Sequence, residues 1–172
     1  MSSVEVDYEL GEAISRIIGL VLPFRNELNY KGLSSVENIT AFDVQSDFPE
    51  LNFIKINFSI NGQPYLFNID VYPSTSEFEG GSGRLSIKIG GCVALEGMFS
   101  CAYDENYGFT DWALERRVEK FNKNLFDPTF VKCSKSLETT LSNIEKVHSE
   151  KSTQSNDGVI DKVFGFINSF KK

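Results

Sequence analysis

Histidine and cysteine are scarce in this chain of 172 residues, which has one His and three Cys. Cys92, Cys101 and Cys133 are odd in number and form no Cys-x-x-Cys pair. They therefore supply neither a disulfide framework nor a zinc motif, and read as small buried apolar side chains. His148 lies fifteen residues beyond Cys133, roughly 22 Å along a straight helix, so the two form no nucleophile–base pair within one helix.

Long apolar runs are also missing. Leu20 to Leu22, after Ile17 and Ile18, is bracketed by Gly19 and Pro23, far short of the roughly 20 residues of a membrane span. Met1 to Glu12 carries Glu5, Asp7, Glu9 and Glu12 in place of the basic start and apolar run of a signal peptide, which points to the cytoplasm. Gly80-Gly81-Ser82-Gly83-Arg84 is glycine-rich but leads toward strand-like sequence rather than a helix, so it reads as a hairpin connection and not a phosphate loop. The carboxylates Asp43, Asp47 and Glu50 match no EF-hand spacing, and no Asp or Glu stands two residues before Lys55 or Lys88. The reading calls for no metal, no cofactor and no catalytic residue.

Acidic and aromatic side chains, by contrast, are plentiful. The chain has a net charge of −7 and contains 15 Phe, 6 Tyr and 1 Trp, enough for an ordinary core without staples. Residues 1–110 hold 6 Lys or Arg against 15 Asp or Glu, a net of −9, whereas residues 111–172 hold 11 against 9, a net of +2. The acidic front repels phosphate, so nucleic acid is excluded as a partner.

Leu10, Ile14, Ile17, Ile18 and Val21 recur at helical spacing and predict a first helix from about Asp7 to Leu22. Ile54 to Ile60 and Tyr65 to Val71 alternate on either side of Asn61-Gly62, predicting a hairpin with Phe58 opposite Tyr65, Ile56 opposite Phe67 and Ile54 opposite Ile69. Further strands are expected at Ile39 to Val44, Arg84 to Ile89 and Phe99 to Tyr103, with turns at Gly90-Gly91 and Glu96-Gly97. Beyond Thr110, the stripe Leu114, Val118, Phe121 and Leu125 predicts a helix. Asp127-Pro128 then ends it and opens a second, carrying Phe130, Cys133, Leu137, Leu141, Ile144 and His148.

The expected architecture is α+β. An antiparallel sheet of four to five strands carries an N-terminal helix and a C-terminal helical hairpin on one face. Residues 1–148 form the domain, 149–157 a flexible linker, and 158–172 a tethered amphipathic helix.

Aromatics beside acids mark the candidate contact residues: Tyr72, Glu77, Phe78 and Glu79 in one loop, and Asp104, Glu105 and Tyr107 in another. Phe164, Phe166, Ile167 and Phe170 present an apolar face on the terminal helix. These features suggest a non-catalytic protein-binding module that docks on a basic partner. It is similar in general character to inhibitors and immunity proteins in size, charge and fold class alone. The alternatives are a homodimeric secretion-type chaperone, and a small-ligand binder or enzyme using the acidic and aromatic loops. Membrane-surface binding by the terminal helix, through Lys162, Lys171 and Lys172, is a further alternative.

Overall fold

Asp7 starts the first helix. Its Oδ1 accepts from the Glu9 N–H at 3.1 Å, satisfying a donor that the first turn leaves open. The computed structural model describes residues 2–21, 38–47, 52–73, 80–104, 108–143, 146 and 150. Helix α1 runs Tyr8–Val21 and buries Leu10, Ala13, Ile14, Ile17 and Ile18 along one stripe. A short strand β1, Val4–Glu5, precedes it.

Six strands follow as an uninterrupted antiparallel meander: β2 Ile39–Ser46, β3 Phe53–Ile60, β4 Gln63–Pro73, β5 Gly81–Ile89, β6 Cys92–Asp104 and β7 Gly108–Leu114. β8, Arg117–Val118, pairs with β1, and β9, Lys120–Phe121, pairs with β6. A 3₁₀ turn, Lys123–Leu125, leads to helix α2 over residues 130–143. The chain divides into two units, Met1–Glu138 and Thr139–Lys172.

The hairpin takes the register read from its sequence, with Phe58 opposite Tyr65, Ile56 opposite Phe67 and Ile54 opposite Ile69. Asn61 (φ 51°) and Gly62 (φ 79°) both occupy the left-handed region that a two-residue hairpin turn demands. Pro64 sits within β4 at no cost to the ladder. It lies one residue before Tyr65, where β4–β5 pairing begins opposite Ile89, and its carbonyl accepts from Gly90 N–H at 2.9 Å. One sheet face is apolar throughout, burying Ile54, Ile56, Phe58, Tyr65, Phe67, Ile69, Leu85, Ile87 and Phe99. Phe130 of α2 stacks on Tyr65 at 5.4 Å, and Trp112 lies 3.6 Å from the Cβ position of Gly19 in α1, so α1 and the start of α2 cover this face.

The sheet is larger than the four to five strands expected, and the described residues form no helical hairpin. Residues 110–125, read as a helix from Leu114, Val118, Phe121 and Leu125, form β7, β8, β9 and the 3₁₀ turn. Thr110 is a strand residue, not a helix cap. The apparent helical spacing runs across three short extended segments with corners between them: β7 pairs with β6 just before it, β8 with β1 far earlier in the chain, and β9 with β6. Tertiary pairing overrides the local pattern here. Glu96-Gly97, expected as a turn, lies inside β6. A Cβ at Gly97 would come within 2.5 Å of Val118 Cγ1, so the glycine lets β8 close over the sheet. Gly81 to Gly83 open β5 and are not a loop, and Cys92 is exposed while Cys101 and Cys133 are buried.

Asp127 does open a helix. Its Oδ1 accepts from the Thr129 N–H at 2.8 Å, and Phe130 N–H bonds its carbonyl at 2.9 Å. The residues read as Ile144 and His148 of that stripe, and the terminal helix 158–172, lie outside the described residues.

Candidate functional site

Of the residues expected to bind a partner, Tyr72 is the one whose side chain is described. It is 53% exposed on the polar face of the sheet. Asp104 ends β6. Glu77, Phe78, Glu79, Glu105, Tyr107, Phe164, Phe166, Ile167 and Phe170 lie outside the described residues. The register pairs Pro73 with Gly81 and Gly81 with Cys101, and β6 runs in the same direction as β4. The chain therefore leaves β4 and β6 at one end of the sheet.

The open sheet face is not acidic. Opposed pairs place Asp43, Asp70 and Glu96 on it, alongside Lys55, Arg84 and Lys88. Arg84 pairs with Glu119 at 2.8 Å and Glu96 with Lys120 at 3.0 Å, exposed pairs that contribute about 0–1 kcal/mol each. Asp47 is consumed structurally. Burial raises its pKa, but bonds from Phe53 N–H, and from the Asn52 side chain and N–H, outweigh that and hold it below its ordinary value.

Two regions of the first unit concentrate polar chemistry. The first is a clamp between the β3–β4 turn and the start of α2. Asn61 Nδ2 donates to Asp127 Oδ2 at 3.2 Å and to Thr129 Oγ1 at 3.4 Å. Gln63 Nε2 donates to Leu125 O at 3.2 Å, and the Tyr65 hydroxyl oxygen accepts from Asp127 N–H at 2.8 Å. Burial pushes the Tyr65 hydroxyl up to about 12, so it stays protonated under ordinary conditions. The Thr129 hydroxyl and N–H hold the Asp127 carboxyl below its ordinary value.

The second is an open cleft of about 380 Å3 between α1 and the chain from Trp112 to Arg116. Ser15 Oγ accepts from Leu114 N–H at 3.0 Å, and Val6 N–H donates to Arg116 O at 2.8 Å, tying the two walls together. Both cations of the cleft are already neutralised: Arg16 by Glu138 at 2.8 Å and Arg116 by Glu5 at 3.2 Å. Arg16 also donates to the buried Ser134 hydroxyl at 3.0 Å. Glu12 and Glu115 line the same cleft and are exposed; the Glu115 N–H donates to Met98 O at 3.0 Å, but neither carboxylate has a hydrogen-bond or ion-pair partner among the described residues. Tyr8, 65% exposed, stands at its rim, and Trp112, 7% exposed, forms part of its wall. Among the described residues, no three His, Cys, Asp or Glu side chains come together as a metal-holding group.

Sequence reasoning missed this cleft. Glu12 is visible in the acidic first turns, but the stripe from Leu114 to Leu125 puts Glu115 on a helix, whereas in the structure it follows β7, whose Leu114 N–H bonds Ser15 of α1. No family model, curated protein or solved structure matches this chain. No helix among the described residues is long and apolar enough to cross a membrane.

Proposed function

We propose that this chain is a non-catalytic binding protein that engages a basic protein partner, with the cleft between α1 and residues 112–116 as its contact region. The observation that carries the reading is the charge imbalance there. The two arginines are committed to Glu138 and Glu5, while Glu12 and Glu115 line the open cleft with exposed carboxylates that have no partner among the described residues, together with an exposed Tyr8. A Lys or Arg side chain entering the cleft would complete the electrostatics without displacing an existing pair, and Tyr8 and Trp112 would offer aromatic contact area. The net of −9 over residues 1–110 adds long-range steering toward such a partner, which salt would weaken.

A peptide library displayed on phage and selected against the full chain tests this. Lysine- and arginine-rich sequences should be enriched, and the enriched peptides should bind E12Q/E115Q at least about tenfold more weakly, corresponding to about 1.4 kcal/mol. Enrichment of uncharged or acidic sequences, or undiminished binding to the double variant at an unchanged melting temperature, would overturn the reading.

A further inference from the structure

We propose that Asn61 is a site of spontaneous deamidation whose product releases the clamp on the start of α2. Asn61-Gly62 is the one Asn-Gly pair in the chain, and it forms the exposed tip of the β3–β4 hairpin. Asparagine is among the chemically labile residues, and a following glycine presents an unhindered backbone nitrogen. In the reaction, Gly62 N attacks Asn61 Cγ, a C–N bond closes a succinimide ring, and the side-chain nitrogen leaves as ammonia. Water then opens the ring at either carbonyl, leaving aspartate or isoaspartate at position 61. No electrons are transferred, and solvent supplies the only co-reactant.

The clamp couples this chemistry to the fold. The leaving nitrogen is the atom that donates to Asp127 Oδ2 at 3.2 Å and Thr129 Oγ1 at 3.4 Å, so ring closure follows opening of those bonds. After the reaction, the clamp cannot close again in the same form. The donor has gone, and a new carboxylate faces that of Asp127. The Thr129 hydroxyl cannot replace the donor, since it already gives its proton to Asp127 Oδ1 at 2.5 Å. An isoaspartate would in addition lengthen the backbone of a turn that needs two consecutive residues in the left-handed region.

The full chain, aged at mildly alkaline pH and digested for site-resolved mass spectrometry, provides the test. Asn61 should convert, and D127A, or T129A if D127A does not fold, should speed its conversion several-fold by opening the clamp. N61D should melt below the wild type at neutral pH, with the gap narrowing in acid as the facing carboxylates protonate. An Asn61 that keeps its amide while Asn156 or Asn168 converts would overturn the proposal. So would a clamp variant that leaves the Asn61 rate unchanged, or an N61D chain that melts with the wild type.

Discussion

The outermost strands of the meander, β2 and β7, use the same local device for different ends. Each carries a one-residue bulge whose first residue sits in the left-handed region: Ala41 (φ 55°) in β2 and Asp111 (φ 52°) in β7. In each, an aromatic follows and turns onto a ring of the apolar face. Phe42 stacks on Phe58 at 5.2 Å, and Trp112 lies 5.0 Å from Phe99. Such bulges re-aim side chains and interrupt the flat edge that would otherwise template aggregation. At β2 the result is structural. The phase slip lets Ile39 and Val44, five positions apart, both face inward, and it starts a run of stacked rings through Phe58 and Tyr65 to Phe130. At β7 the bulge turns Trp112 into the wall of the cleft and carries the chain on to Glu115. The residue at the strained position differs as well: aspartate tolerates the left-handed region, whereas alanine there costs about 1–2 kcal/mol.

The largest expected difference between the two edges lies in their aromatics. Trp112→Ala removes a nearly buried ring and should cost about 3–5 kcal/mol, whereas Phe42→Ala, at a half-buried site, should cost less than half as much. Urea unfolding of both variants checks this, and equal losses would mean that the two edges are anchored alike. Next in size is the bulge backbone. Ala41→Gly should stabilise the chain by up to about 1 kcal/mol, since relief of strain exceeds the added freedom of the unfolded glycine, while Asp111→Gly should change little. A melting temperature lowered by Ala41→Gly would show that Ala41 makes packing contacts worth more than its strain.

The smallest effect at neutral pH concerns the two caps, Asp7 on the helix beside β7 and Asp127 on the helix that completes the ring stack from β2. Both carboxyls are held below their ordinary value of 3.8, Asp7 first by the Lys123 ammonium at 2.7 Å and Asp127 first by the Thr129 hydroxyl. A depressed folded-state value contributes stability above the unfolded value, and that contribution is lost as pH falls through the folded one. D7N and D127N should therefore each flatten the acid limb below about pH 4. Acid unfolding profiles that overlay the wild type would remove the caps as its cause.

Legibility followed the range of the interactions. The β3–β4 hairpin could be read because turn chemistry and alternation agree within eighteen residues, from Ile54 to Val71. α1 could be read from its stripe and the Asp127-Pro128 helix start from its cap, since both are set within a turn or two. The bulges could not. Nothing next to Ala41 or Asp111 announces a left-handed residue, and each bulge shows only in the three-against-two spacing of β2 on β3 and of β7 on β6. The Leu114, Val118, Phe121 and Leu125 stripe misleads because β8 pairs with β1 and β9 returns to β6, and with it goes the position of Glu115 and hence the cleft.

Composition and local pattern were thus sufficient for a mixed α and β chain with an acidic front, for one hairpin register, for the first helix and for the start of the second. The length of the sheet, the strand character of residues 110–121 and the placing of Glu12 and Glu115 along one cleft were settled by pairing between segments up to about a hundred residues apart. Backbone groups buried by that pairing must find partners. With Gly97 opening space for Val118 and α1 offering Ser15 to Leu114, the ladder outweighed the helical spacing that the segment shows by itself.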